Sequence, residues 1–176
     1  ITELKILFNL LVVLILSLTK PLSEKEIKEM HSINQENSPD VGDIPNIDQF
    51  QELTNLTETI YVFKDQEKII GFIFLMREGT TYQSENYKFI SSKYDHFLYV
   101  DRIAIQSNYR RQGLAKKIYN KVIEDGKKLE LDILCEVNTR PRNDISLAFH
   151  KKMGFKEIGT QDFQKNSVVY LKRSLK

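Results

Sequence analysis

The segment Tyr99-Val-Asp-Arg-Ile-Ala-Ile105, the polar turn after it, and Arg110-Arg-Gln-Gly-Leu-Ala115 decide how this chain is read. The first is rich in β-branched and aromatic residues and reads as a strand, part of a run over 97–105. Leu114, Ala115, Ile118 and Val122 then recur at helical spacing, so the third opens an amphipathic helix ending near Gly126. A strand that runs through a polar turn into a helix start is a place for a phosphate. The first N–H groups of a helix have no partner inside it, and the helix dipole adds partial positive charge there. Gly113 removes the side chain that would hold a phosphate away from the backbone. Arg110 and Arg111 can add charge-assisted hydrogen bonds, so Arg110, Arg111, Gln112, Gly113, Leu114 and Ala115 form a candidate phosphate loop. No Gly-Lys-Ser/Thr follows the turn, which excludes a nucleotide-hydrolysing P-loop, and no G-x-G-x-x-G supports a dinucleotide fold. Alone, R-x-x-G-x-A is a short match that an ordinary strand-to-helix turn also meets, and the surrounding pattern has to decide.

Upstream, Ser23-Glu-Lys-Glu26 is a capping box, with Ile27, Met30 and Ile33 at helical spacing behind it, which predicts a helix over 24–35. Ile47, Phe50, Leu53 and Leu56 predict a second, short helix. Residues 60–64 and 68–76 are β-rich runs around the polar turn Asp65-Gln-Glu67 and read as an antiparallel hairpin. Residues 79–96 form a polar, tyrosine-bearing insert, longer than most connections and so a candidate for function. Downstream, Leu131, Ile133, Cys135 and Val137 alternate along a strand, 143–153 reads as a helix closed by Gly154, and 155–161 and 167–172 are strands. The order is β-αα-ββ-β-α-β-α-β-β, a mixed α/β sheet.

The chain has 176 residues, 41% hydrophobic and 28% charged, a composition for one globular domain with a substantial core. Lys and Arg total 26 against 24 for Asp and Glu, so no global field draws the chain to nucleic acid or an acidic membrane. One cysteine, Cys135, precludes an intramolecular disulfide and fits a cytoplasmic location. His31, His96 and His150 are scattered, and no Cys/His spacing suits a metal, so none is expected. Residues 6–18, ILFNLLVVLILSL, are almost wholly apolar, yet shorter than the roughly 20 residues of a membrane span. No small-x-small cleavage site follows. Residues 1–18 are read as an apolar extension carrying the first strand, ahead of a single domain over 19–176.

This order, with Arg110-x-x-Gly113-x-Ala115 and Asn143-x-x-Ser146-x-x-Phe149-His150-x-Lys152-x-Gly154-Phe155, resembles the GNAT acetyltransferase superfamily. The first motif matches the family's R/Q-x-x-G-x-G/A pyrophosphate signature. The second matches its N-x-x-A-x-x-L-Y-x-K-x-G-F segment. Leu98-Tyr-Val-Asp-Arg-Ile103 with Cys135-Glu-Val-Asn138 looks like a bacterial group of acetyltransferases within it. The resemblance implies a mostly antiparallel mixed sheet, flanked by helices, whose fourth and fifth strands splay. It implies acetyl-CoA as cosubstrate, with pantetheine in the splay against the backbone of Ile103, Ala104 and Ile105. Asn138, Asn143, Ser146, Phe149 and Lys152 would be further coenzyme contacts, and Lys116 and Lys117 could meet the 3′-phosphate. It also implies a bulge that frees a backbone N–H to polarise the thioester, and direct attack by a neutral amine without an acyl-enzyme.

Asp101 is the candidate base; strand alternation puts it on one face with Tyr99 and Ile103. An ion pair with Arg102 is its structural alternative. His150 stands where the family has an acidic tyrosine; imidazole can do that chemistry, and a helix-surface histidine is the alternative. Tyr94 and Tyr99 are other acids by chemistry. Glu136 is a candidate substrate contact, and Tyr82, Tyr87, Tyr94 and Tyr99 candidate walls of the acceptor pocket, against a local packing role shared with Phe89 and Phe97. Cys135 lies on the apolar side of its strand and reads as core rather than nucleophile. The expected acceptor is a small-molecule or peptide amine; nucleic acid and membrane are not expected, and a homodimer is left open. A catalytically silent coenzyme A-binding sensor of the same fold is the rival reading, since fold does not fix activity.

Overall fold

A computed structural model describes residues 13–175. The apolar stretch 1–12 and Lys176 lie outside the described residues, so most of the predicted N-terminal extension does too. Within the rest, Ser23 caps helix α1 (Glu24–Glu36), and Glu26 returns the bond to the Ser23 N–H at 2.9 Å. Asn46 caps α2 (Ile47–Leu56) through the Asp48 N–H. Ile27, Met30 and Ile33 of α1 and Phe50 and Leu53 of α2 turn inward at the predicted spacing.

The strands are β1 (Val13–Ser17), β2 (Thr59–Asp65), β3 (Lys68–Met76), β4 (Leu98–Ile105), β5 (Ile133–Arg140), β6 (Lys156–Asp162) and β7 (Ser167–Arg173). They form one sheet in the order β1-β2-β3-β4-β5-β7-β6, antiparallel except at β4–β5. The residues 13–17 of the apolar N-terminal run are thus a strand of the domain, paired with β2. The insert is not a bare loop: it contains α3 (Glu85–Ser91), capped by Ser84 and anchored by Tyr87 and Ile90. Two buried residues over seven are too few for a periodic signal in the sequence. Helix α4 (Leu114–Leu129) runs past Gly126, correcting the expected stop. Gly126 is there for closeness: a Cβ would lie 3.1 Å from the Leu131 carbonyl oxygen and 2.6 Å from Leu175. Helix α5 (Asp144–Lys152) completes the set.

Two cores sandwich the sheet. Helices α1, α2 and α3 cover one face, over Ile60, Phe72, Phe74, Tyr99, Leu134 and Tyr170. Helix α4 covers the other, over Phe63, Ile73, Leu98, Val100, Ile133 and Cys135, with Leu147 and Phe149 of α5 packed alongside. Phe89 of α3 stacks on Tyr170 at 3.8 Å, which pulls α3 across the β5–β7 side of the sheet.

The centre of the sheet carries an irregularity. Phe74 pairs with Arg102 and Leu75 with Val100, which leaves Asp101 as an extra residue, a β-bulge. On the other side, β4 pairs with β5 only over Leu98↔Ile133, Tyr99↔Leu134 and Val100↔Cys135. Beyond these the two strands part. The β3–β4 ladder that carries the bulge depends on Gly71. An added Cβ there would stand 2.9 Å from the Ala104 carbonyl oxygen and 2.9 Å from the Phe63 ring. Gly71→Ala should therefore overpack the junction and cost about 1–3 kcal/mol. Urea unfolding should show the lower midpoint without a change in slope.

Candidate active site

Where β4 and β5 part, a cleft of about 500 Å³ opens. Its walls are Val100, Asp101, Arg102 and Ile103 of β4, Cys135 to Asn138 of β5, and Asn143, Ile145, Ser146, Phe149 and His150 at and in α5. Ala115 and Tyr119 of α4 close one side. The loop after α1, from Asn37 to Gly42, and Tyr82, Ser84 and Asn86 close the other.

Glu136 is partly buried in this cleft and held by neutral donors. The Tyr99 hydroxyl donates to one carboxylate oxygen at 2.7 Å and the Asn86 amide to the other at 3.1 Å. Asn86 is itself placed by α3 and by the Tyr170 hydroxyl at 2.9 Å. Burial, with the negative charge of Asp101, pushes the Glu136 carboxyl up to about 8. The sequence reading placed Glu136 among substrate contacts. It missed the role of Asn86, for no pattern links an insert residue to a strand fifty positions away.

Asp101 is differently occupied. Its carboxylate accepts from Arg102 Nε at 2.7 Å, and both side chains are almost wholly buried. Arg102 Nη1 donates to Asn34 of α1 at 2.8 Å and reaches the Gly42 carbonyl oxygen at 3.4 Å. Burial pulls the Arg102 pKa down, and Asp101 together with Tyr82 more than offsets it. The bulge also corrects the predicted face. Tyr99 packs in the α1–α3 core, while Ile103 packs against the α4 core, so the two no longer share a side. Of the two alternatives for Asp101, the geometry is that of the ion pair.

His150 is buried, not on the helix surface. Its Nδ1–H donates to the Ser146 carbonyl oxygen at 2.8 Å, so Nε2 accepts from the Tyr119 hydroxyl at 2.7 Å. Burial lowers its pKa, and the bond to Ser146 only partly offsets this. A neutral imidazole whose one N–H is held by the Ser146 carbonyl and whose other nitrogen is an acceptor has no free proton for a thiolate, which argues against the acid role expected for it. Cys135 is buried, and burial pushes its thiol pKa well up, so little thiolate is present for nucleophilic work.

The phosphate loop forms at the start of α4. Gly113 takes φ +76°, and Arg111 φ +61°, turning the chain tightly into the helix. The first helical bond runs from Lys117 N–H to the Gly113 carbonyl, leaving the N–H groups of Leu114, Ala115 and Lys116 outside the helical ladder. Arg110 bonds the Ile105 carbonyl at 3.0 Å and Asn37 at 3.0 Å. Gln112 is tied to the Asn108 carbonyl, and the Leu114 side chain is core. Arg111, Lys116 and Lys117 are exposed beside this turn.

Of the other expected coenzyme contacts, Ile103, Asn138, Asn143, Ser146 and Phe149 line the cleft, and Asn143 also caps α5 through the Ser146 N–H. Ala104 is buried in the opposite core, the Ile105 carbonyl already accepts from Arg110 and Asn37, and Lys152 is exposed away from the cleft. Of the tyrosines, Tyr82 lines the cleft, beside the Asp101–Arg102 pair. Tyr87 is corrected to core, its hydroxyl donating to the Arg77 carbonyl at 2.7 Å. Tyr94 lies outside the cleft under Lys172, and Tyr99 touches Glu136 from behind the wall. Among the described residues no cluster of His, Cys, Asp and Glu could hold a metal, and no helix is long and apolar enough to cross a membrane.

The model of the acetyltransferase (GNAT) family matches residues 27–155, most of the chain. The chain belongs to the GNAT acetyltransferase family. Its fold agrees with solved structures at low identity. The NatC complex bound to Gag peptide and CoA gives a TM-score of 0.70 at 17% identity, covering 93% of this chain and 99% of that one. The ribosomal-protein-S18-alanine N-acetyltransferase of Escherichia coli gives 0.66 at 15%, covering 92% of each. Arabidopsis thaliana NAA60 in complex with acetyl-CoA gives 0.67 at 15%, covering 92% and 98%. These identities speak for a common fold and leave the residues of the cleft to be read for themselves. In this GNAT chain the departure at position 150 is a buried Tyr119–His150 pair. NMR titration should place the His150 midpoint below the ordinary value of about 6.5. A folded pKa below the unfolded one means that the pair's contribution is full above about pH 6.5 and is lost as pH falls through the folded pKa. Tyr119→Phe, which leaves Nε2 without a donor, should cost about 1–3 kcal/mol at pH 7.

Proposed function

We propose that this acyltransferase moves the acetyl group of acetyl-CoA to a primary amine by direct attack on the thioester, with Glu136 as the base. The observation that carries this reading is the Glu136 carboxylate, set in the opening between β4 and β5 and held by Tyr99 and Asn86. Acetyl-CoA is expected to lie with its pyrophosphate on the N–H groups at the start of α4 and its pantetheine in the opening against Ile103, as the family motif at 110–115 implies. The bulge at Asp101 leaves backbone beside Ile103 without a partner on the β5 side, where an N–H can polarise the thioester carbonyl.

The amine arrives as an ammonium ion and gives one proton to Glu136. The free lone pair attacks the carbonyl carbon, and a C–N bond forms as the carbonyl π pair moves to oxygen. Collapse of that intermediate breaks the C–S bond, and the thiolate leaves with the pair. The proton still in excess on nitrogen goes to the thiolate, and Glu136 returns its own to solvent. A base with pKa near 8 is matched to this work, ionised in an appreciable fraction at neutral pH and basic enough to accept the proton. Asp101, bound to Arg102, is assigned to holding the bulge instead.

Release of free coenzyme A thiol from acetyl-CoA with a panel of primary amines is the test. The wild-type rate should rise with pH up to about 8, and Glu136→Gln should abolish that rise and lower kcat about 100-fold or more. Asp101→Asn should instead cost about 3–5 kcal/mol of stability by stranding Arg102, with a smaller loss of kcat in the folded fraction. Acetyl-CoA binding without turnover of any amine would favour the silent sensor. The raised Glu136 pKa has a second consequence in the free protein. The folded state holds this proton more tightly than the unfolded chain, so stability should decline as pH rises from about 4.5 to about 8. Glu136→Gln should flatten that slope.

A further inference from the structure

The charges around the cleft are unequal in what they leave available. Three carboxylates line it: Asp40 in the loop after α1, Asp101 on the bulge and Glu136 on β5. Two cations line it, and only Arg102 is paired with a carboxylate. Arg102 is held by Asp101 and Asn34. Arg110 is bound to Asn37 and the Ile105 carbonyl at the coenzyme end. The remaining polar groups of the acceptor side, the Tyr82 hydroxyl, Ser84 and Asn86, are neutral. In its ionised form Glu136 has only neutral donors bonded to it, and the nearby Arg102 is already paired with Asp101, so a ligand ammonium supplies the counter-ion that this form lacks.

From this we infer the acceptor class: an amine bound as ammonium against Glu136 and carrying a neutral group, not a carboxylate, on the adjoining carbon. A peptide N-terminus and a simple alkyl or amide amine both have this chemistry; a free α-amino acid does not. Its α-carboxylate would enter beside Glu136 and find there only Arg102, whose charge is already paired with Asp101. Like charges set side by side in a cleft of low polarisability discriminate strongly, and an unpaired buried charge more so. The inference rests on the acetyltransferase reading of the same cleft.

The test uses the wild-type protein and matched acceptors built on glycine, serine and methionine. Each is offered as the free amino acid, the amino-acid amide and the first residue of a tripeptide amide, with the corresponding alkylamines alongside. Acetyl-CoA binding is followed separately by thermal shift. The expected result is that amides or peptides are acetylated with kcat/KM at least about 100-fold above the free acids. Preference for the tripeptides would assign the site to peptide N-termini, and equal use of the alkylamines would assign it to small amines; either outcome upholds the charge rule. Free acids within about fivefold of their amides would overturn the inference and leave the acetyltransferase standing. Acetyl-CoA binding with no acceptor turned over would overturn both.

Discussion

Neighbouring side chains on a regular strand point to opposite faces of a sheet. Asp101 and Arg102 are neighbours, yet they are buried together and bonded at 2.7 Å. That contact is compatible with the strand only because one extra residue is inserted there, and the ion pair and the bulge therefore hold each other in place. Asn34 of α1 and the Gly42 carbonyl secure the guanidinium from the other side. A buried pair of this kind adds little net stability, because desolvation offsets the attraction. What it supplies is geometry: the phase of β4 is inverted after Val100, and its ladder to β5 ends there.

The rest of the cleft follows from that interruption. Because β4 and β5 stop pairing at Val100 and Cys135, the cleft opens beside Glu136, the next residue of β5. The stacking of Phe89 on Tyr170 brings α3 over the same region, and α3 delivers the Asn86 amide to Glu136. On the opposite face α4 begins where β4 has led the chain, so the helix N-terminus and the opening are close by construction. The groups that line the cleft thus come from separate elements, β4, β5, α4, α5 and the segment that opens α3, all of them placed by the sheet.

Much of this was legible in the sequence, and the reasons for the misses are physical. Helices α1, α2 and α4 and strands β2, β3, β4, β5 and β7 carry enough inward residues to declare themselves. The turn at Arg110–Ala115 announced itself through Gly113, because a left-handed residue before a helix favours glycine. Helix α3 was hidden by its shortness. The face of Ile103 was misassigned because alternation was extended through a bulge, which exists only through pairing with β3 and contact with α1. The environments of Asp101, Glu136 and His150 are likewise tertiary. A carboxylate beside an arginine, a carboxylate beside a tyrosine and a histidine beside another helix look alike along the chain, and only packing separates an ion pair, a carboxyl of raised pKa and a neutral imidazole.

The central claim is that the parted β4 and β5 strands and the start of α4 form one coenzyme groove, and amide hydrogen exchange with and without acetyl-CoA tests it most directly. Backbone amides whose exchange slows should fall at Arg102 to Ile105 on β4 and at Gln112 to Lys117 at the start of α4, while those of β1, β2 and β6 keep their rates. Unchanged exchange at both segments under saturating acetyl-CoA, or protection confined to some other part of the fold, would contradict the account.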